Sequence, residues 1–274
     1  MTQPVAGAAR PPRPLRSPAA LALLALAGVL LFSLFAALGW WQLERRAWKL
    51  QLMERVEQRL HTAPTPLPPP AQWPGMDAAR SEYQPVQLQG RWLADKTVLT
   101  QASTELGAGF WVLTPLQLDG GSQVLVNRGF IPQQLRAGWP QRDPIAQARG
   151  AAGAPAQLTG LIRMSEPGGG FLRRNAPAEG RWHSRDVAAI AQAQGLSEAA
   201  PFFVDAGIPA AAPTGAPQGL RGSEAGPWPR PGLTVVRFHN SHLVYVLTWW
   251  GLALLVLGAA AVVTRHEQCL RQGA

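Results

Sequence analysis

The stretch at residues 17–43 reads SPAALALLALAGVLLFSLFAALGWWQL, and a second stretch at residues 243–264 reads LVYVLTWWGLALLVLGAAAVVT. Both are apolar, and neither contains a charged side chain. About 20 apolar helical residues cross the roughly 30 Å hydrocarbon core of a bilayer, so each stretch is long enough to span it. The sequence therefore predicts a membrane protein in which two transmembrane α-helices flank an extramembrane domain.

The overall composition fits a chain divided between membrane and water. Charged residues make up 15% of the 274 residues, whereas about a quarter is typical of soluble proteins. The net charge is +9, and 23 of the 25 basic residues are arginine, a usage typical of a GC-rich bacterial genome. These residues are scattered and form no nucleic-acid-binding motif, so we expect no nucleic-acid partner. The single cysteine, Cys269, excludes disulfides and thiolate metal sites from the rest of the chain.

The apolar stretches and a proline cluster divide the chain into segments. We predict an N-terminal tail at 1–18, a first transmembrane helix at 19–43 and a helical extension at 44–60, because apolar residues recur there at helical spacing. Six prolines between positions 64 and 74 predict an extended linker at 61–82. The remaining segments are an extramembrane domain at 83–238, a second transmembrane helix at 243–264 and a C-terminal tail at 265–274.

The middle of the chain predicts a mainly β (α+β) domain. Apolar and polar residues alternate from Tyr83 to Trp92, which is typical of a half-buried strand. Asp119-Gly120-Gly121 predicts a hairpin turn, and a helix is predicted at Ser184–Gln194 with Ser184 as its N-cap. The further predicted strands are Thr97–Gln101, Phe110–Leu118, Val124–Ile131, Gln157–Met164, Phe202–Val204 and Leu233–Phe238.

The orientation of the two spans in the membrane does not follow from charge. An even number of spans places both tails on one side and the large domain on the other. Arg10, Arg13 and Arg16 precede the first span, but Arg45, Arg46 and Lys49 follow it. The excess of basic residues that marks the cytoplasmic side is therefore nearly tied.

Aromatic and polar residues concentrate where the two spans meet the domain. Trp41, Arg45 and Trp48 share one helical face, and a second triplet of His242, Tyr245 and Trp249 shares another. One interpretation is an interfacial aromatic belt with snorkelling basic residues.

The alternative interpretation is a pocket for a flat, anionic, apolar ligand such as a haem. His242 would then be the axial iron ligand, with Tyr245 and Trp249 beside the ring and Arg45 with Trp41 on the opposing helix. An ionisable side chain at the membrane edge favours such a functional role. His239, one turn earlier, is a second candidate ligand.

The extramembrane domain contains one conspicuous polar pair and no catalytic constellation. Asn127 and Arg128 interrupt the strand VLVNRGF at 124–130, which otherwise has the pattern of a buried strand. Because a buried arginine needs a partner, the pair belongs either to a structural network or to a partner-docking patch. Ser, His and Asp at 183–186 lack the scaffold of a catalytic triad, so we expect no enzymatic activity.

Five ordered motifs resemble the Surfeit locus protein one family of cytochrome c oxidase assembly factors. The resemblance runs from about Leu38 to Gly251 and thus covers nearly the whole chain. One departure is Ser241, where the family commonly has asparagine. The motifs are LGWWQL at 38–43 with Arg45, Trp48 and Lys49; YQPV at 83–86 with Gly90; TPL at 114–116 with 124–129 and Pro132; NAP at 175–177 with Trp182 and Asp186; and NSHL at 240–243 with Tyr245, Thr248 and Trp249.

The resemblance implies a non-enzymatic protein of the bacterial inner membrane whose large domain faces the periplasm. It implies a role in delivering haem a, held transiently, to oxidase subunit I, and the second-span histidine that the family ties to haem a falls on His242. The implied partners are subunit I, membrane lipid and, as a further candidate, haem a synthase. A scaffold that docks subunit I through Asn127 and Arg128 without holding haem is the alternative, and a membrane-anchored periplasmic sensor is a more distant one.

Overall fold

The structure is a computed structural model that describes residues 16–148, 153–170, 172–209, 227–234, 236 and 240–272. It consists of two units. The described parts of Met1–Leu52 and Phe238–Ala274 form one, here called the two-helix unit, and those of Met53–Arg237 form the other, the β domain. The helices, in chain order, are α1 (Pro18–Leu60), α2 (Ala78–Ser81), α3 (Trp139–Arg142), α4 (Pro144–Gln147), α5 (Val187–Ala193) and α6 (His242–Gln272).

The helices α1 and α6 are long and apolar enough to cross a membrane, as the two uncharged stretches predict. They flank the β-rich part of the chain. Helix α1 continues without interruption to Leu60, so the predicted extension over 44–60 is helical. Its last turns belong to the β domain, where Val56 is buried.

The β domain is built on a seven-stranded sheet in the order β1-β2-β6-β9-β5-β4-β3. A second pairing between β2 and β4 closes five of these strands into a barrel-like ring. Neighbouring strands are antiparallel except in the pairs β1–β2 and β5–β9. The strands are β1 (Thr65–Pro66), β2 (Pro85–Trp92), β3 (Val98–Thr104), β4 (Gly107–Gln117), β5 (Gln123–Pro132), β6 (Pro155–Met164), β7 (Gly169–Gly170), β8 (Arg173–Arg174) and β9 (Ala199–Ala206), with β7 and β8 forming a separate hairpin.

The largest apolar cluster takes side chains from all five strands of the ring. Its members point to one face of each strand because side chains alternate along a strand. Strand β5 is buried along almost its whole length, so Leu125, on its other face, joins a second cluster. The buried strand residues of the first cluster are Val86, Leu88, Leu116, Val124, Val126, Ile162, Ala200, Phe202 and Val204.

The proline-rich segment predicted as a linker packs onto the sheet instead. Thr65 and Pro66 pair with β2, and Trp73 is buried in the first apolar cluster. The indole Nε1 of Trp73 donates a hydrogen bond to the carbonyl oxygen of Pro68 at 2.8 Å. Extended proline-rich backbone fits the edge of a sheet, and burial of one indole fixes it there.

Helix α5 covers the second apolar cluster with Val187, Ile190 and Ala191. The helix is predicted correctly, but Ser184 is the wrong N-cap. Asp186 caps it, because its Oδ1 accepts the backbone N–H of Ala189 at 3.1 Å. The Ser184 hydroxyl instead accepts a hydrogen bond from Asn175 Nδ2.

The other strand predictions agree with the sheet except at one place. The predicted strand Leu233–Phe238 is wrong for Leu233, Thr234 and Val236, which are not in a strand, and its other residues lie outside the described ones. A side-chain contact holds this segment, since the Thr234 hydroxyl donates to Asp205 Oδ2 at 2.9 Å. The predicted hairpin turn at 119–121 is confirmed.

Candidate functional site

The two long helices are in direct contact near the domain-proximal ends of the apolar stretches. The rings of Phe35 and Trp249 stack with centroids 5.8 Å apart. Gly39 faces the indole of Trp250, and a Cβ at position 39 would overlap that ring. Val246 is buried. Small residues allow membrane helices to approach closely, and Gly39 has this role here.

His242 lies at the first turn of α6 and is hydrogen-bonded to α1. The distance from its Nδ1 to Gln42 Oε1 is 2.7 Å. Because an amide oxygen only accepts, Nδ1 carries the proton and donates it to Gln42. Neutral imidazole then keeps its lone pair on Nε2. Among the described residues, Nε2 has no hydrogen-bond partner.

The other predicted site residues are divided between the helix contact and the surface. Trp249 stacks on Phe35, and its buried indole Nε1 has no acceptor among the described residues. Tyr245 and Trp41 are 51% and 54% exposed. Arg45 is exposed and its guanidinium lies 4.0 Å from the ring centroid of Trp48. The roles assigned to these residues stay predictions.

Sequence reasoning missed Gln42. The residue sits inside the LGWWQL motif, at the point where the first apolar stretch gives way to polar sequence. A polar side chain at this position is a weak signal, because it also fits a residue facing water. The second candidate ligand, His239, lies outside the described residues, whereas His61 and His266 are exposed.

The residues around His242 have the chemistry that binding of a haem requires. A neutral imidazole with its proton fixed on Nδ1 is a suitable axial ligand for haem iron. The exposed rings of Tyr245 and Trp41 offer apolar surface to a macrocycle. Cavities of about 630 and 380 Å³ occur elsewhere, and neither includes His242. The residues present therefore fit a haem bound at an open surface.

In the β domain, Asn127 and Arg128 are buried and paired. Asn127 Nδ2 donates to Asp205 Oδ1 at 2.7 Å. The guanidinium of Arg128 makes two hydrogen bonds of 2.7 Å, one to each carboxylate oxygen of Asp143. The next residue, Gly129, has a φ of +131°, and a Cβ there would overlap the backbone of Arg230. The N-R-G motif is thus explained by side-chain pairing and close backbone approach.

Asp205 is the centre of a second group of charges. Its carboxylate accepts hydrogen bonds from Arg163 and Arg185, at 3.3 and 3.2 Å. Burial acts to lower the pKa of Arg163, but Asp205, Tyr83 and Glu82 together outweigh it, and the pKa lies above its ordinary value. Burial likewise acts to raise the pKa of Glu166, but the hydrogen bond and charge of Arg185 lower it below its ordinary value.

These contacts favour the structural-network interpretation of Asn127 and Arg128. The side chains are 4% and 7% exposed, and their polar groups contact aspartates of the same domain. Direct docking through Arg128 would require breaking its pair with Asp143. Docking of a partner by these two residues stays a prediction.

Similarity to known proteins extends over most of the chain. The sequence profile of the SURF1 family matches residues 29–254. Human Surfeit locus protein 1 is 32% identical over 235 residues, covering 79% of this chain and 69% of the human protein. SURF1-like protein of Monosiga brevicollis is 30% identical over 249 residues, covering 86% of this chain and 85% of that protein. SURF1-like protein of Drosophila melanogaster is 32% identical over 235 residues, with 79% and 69% coverage.

Proposed function

Because the chain belongs to the SURF1 family, known as cytochrome c oxidase assembly factors, we propose that it carries haem a to oxidase subunit I. Haem a is the cargo, and His242 is its axial ligand during transfer. The carrier role needs no catalytic group, since the chain has only to bind, orient and release the haem. Membrane lipid surrounds α1 and α6 throughout, and haem a synthase is a candidate donor of the cargo.

One observation supports this proposal above the others: the hydrogen bond from His242 Nδ1 to Gln42 Oε1. It fixes the imidazole tautomer and orients the ring, which are the two tasks of an outer-shell partner of a metal-bound histidine. In this tautomer of the neutral ring, the lone pair on Nε2 is available to iron. An imidazole already held by a hydrogen bond at one nitrogen also loses less conformational entropy when it binds the ligand.

The neighbouring side chains would hold the rest of the haem. Tyr245 and Trp41 present exposed aromatic surface close to His242 and Gln42 in the two helices. The guanidinium of Arg45 is available to pair with a propionate. Because none of these groups encloses the ligand, release requires no opening of a packed core.

We further propose that the protein lies in the bacterial inner membrane with its β domain in the periplasm. The two apolar helices support membrane anchoring. A fluorescent protein fused after Ala274 should then fluoresce in the cytoplasm, and alkaline phosphatase inserted at the exposed turn of Gly120 and Gly121 should be active. A C-terminal fusion that does not fluoresce, together with an inactive inserted phosphatase, would reverse the orientation.

The haem ligand is tested by purifying the full chain from cells that synthesise haem a. We expect a Soret band for the wild type and for His266→Ala, which removes an exposed histidine from the same helix. His242→Ala should lose the band. A wild-type protein that contains no haem but co-purifies with subunit I would favour the scaffold function, and an unchanged spectrum in His242→Ala would remove the ligand role.

A further inference from the structure

The end of the two-helix unit opposite His242 contains a groove that the proposed function does not use. Its volume is about 630 Å³. The walls are apolar over most of their length and end in polar side chains. The lining includes Gly28, Leu31, Leu255, Glu267 and Arg271.

Glu267 is the unusual member of this groove. It is 6% exposed, although glutamate is rarely buried without a partner. Arg16 lies beside one carboxylate oxygen, with 3.8 Å between Arg16 Nε and Glu267 Oε1. The other oxygen, Oε2, is buried and has no hydrogen-bond partner among the described residues. A buried, unpaired carboxylate oxygen is costly unless a donor meets it.

The dimensions of the groove match one lipid tail. Leu255 and Glu267 are 12 residues apart in α6, which at 1.5 Å per residue corresponds to about 18 Å. One leaflet of the hydrocarbon core is roughly 15 Å deep. The predicted span ends at Thr264, so Glu267 and Arg271 lie where headgroups begin.

We propose that this groove binds one phospholipid with a primary-amine headgroup. The ammonium group donates a hydrogen bond to Glu267 Oε2, Arg271 pairs with the phosphate, and an acyl chain fills the groove as far as Leu31 and Leu255. The charges argue for this occupant: Glu267 and Arg271, four residues apart in α6, both line the groove and match a zwitterion that carries both an ammonium and a phosphate. The proposal is independent of haem binding.

Lipid titration of the detergent-solubilised full chain, followed by native mass spectrometry, tests the proposal. We expect phosphatidylethanolamine to bind about tenfold more tightly than phosphatidylcholine, whose quaternary ammonium has no N–H to donate. Phosphatidylglycerol, which has no amine, should bind no better than phosphatidylcholine. Equal affinities, or a preference for phosphatidylglycerol, would overturn the amine-specific site.

Two matched pairs of variants test separately how the headgroup and the acyl chain contribute to lipid binding. Glu267→Gln should reduce the preference for phosphatidylethanolamine to within about twofold, whereas Glu54→Gln, at an exposed glutamate of α1, should retain it. Gly28→Leu should block the groove, whereas Gly258→Leu, at a position that does not line it, should leave binding intact. Retained preference in Glu267→Gln, or equal binding by both leucine variants, would contradict the proposal. A co-purifying polypeptide in place of lipid would contradict it as well, and would identify the groove as a helix-docking site.

Discussion

Buried charges of the β domain differ from the polar groups of the two-helix unit in what they contact. In the domain, Arg128 forms an ion pair with Asp143, and Asp205 forms ion pairs with two further arginines. In the two-helix unit, His242 Nε2 and Glu267 Oε2 have no hydrogen-bond partner among the described residues. The charged groups of the domain are hydrogen-bonded to each other. The two atoms of the helices can still each form a bond with a ligand.

The difference indicates where ligands can bind. An unpaired buried polar group such as Glu267 Oε2 costs about 1–3 kcal/mol, and a ligand that supplies the partner recovers that energy. Paired groups such as Arg128 and Asp143 offer no such gain, because a ligand would first have to break the existing contacts. Ligands are therefore expected at His242 and Glu267 rather than at the paired charges of the β domain.

The largest expected effect is loss of the buried Arg128–Asp143 pair. Arg128→Ala leaves Asp143 buried without its partner and should lower the free energy of unfolding by about 3–5 kcal/mol. Thermal and urea unfolding of the full chain, followed by the β signal in circular dichroism, measures it. Arg91→Ala, at an exposed arginine, is the control. A loss below about 1 kcal/mol would mean that the pair is not the stabilising contact described above.

Replacement of Gln42 tests whether its hydrogen bond to His242 Nδ1 assists binding of iron by Nε2. Gln42→Leu removes the acceptor of Nδ1 and should weaken binding of haem a about 10–100-fold, the usual effect of losing an outer-shell partner. Gln42→Glu keeps an acceptor and should restore binding. Spectroscopic titration with haem a measures affinity, and histidine NMR reports the tautomer. Wild-type affinity together with a changed tautomer would show that the hydrogen bond does not assist ligation.

Gly39 tests the contact between the helices themselves. Gly39→Ala places a methyl group against Trp250, and the resulting overpacking should exceed the gain in helix propensity by roughly 1 kcal/mol. Gly251→Ala is the matched control, since its Cβ would meet nothing within 4 Å. Titration with sodium dodecyl sulfate, followed by tryptophan emission, compares the two. Equal stability would show that close approach at Gly39 is unimportant.

The smallest effect concerns the partly buried ion pair of Glu166 and Arg185. Because the pKa of Glu166 is lower in the fold than its ordinary value near 4.3, its ionised form stabilises the fold above that pH, and the contribution disappears as pH falls through the lowered pKa. Glu166→Gln should therefore reduce the loss of unfolding free energy that the wild type shows as the pH falls. Glu105→Gln, at an exposed glutamate, should follow the wild-type curve between pH 5 and pH 2.

The sequence predicts well where the signal is local. Uncharged stretches of spanning length identify both long helices, and the alternation from Tyr83 to Trp92 identifies β2. The proline-rich segment misleads because the burial of Trp73 depends on strands that follow it in the chain. Similarly, Ser184 and Asp186 are both good capping residues, and only the position of the first helical turn decides that Asp186 caps α5.

The candidate site divides in the same way. The amino-acid sequence by itself determines the two spans, the family motifs and the presence of His242 at a helix end. Only the tertiary structure decides that Gln42 meets His242 and that Asp143 meets Arg128, at separations of 200 and 15 residues along the chain. Periodicity and composition describe neighbours in sequence, whereas the partner of a buried polar atom is set by which helices and strands pack together.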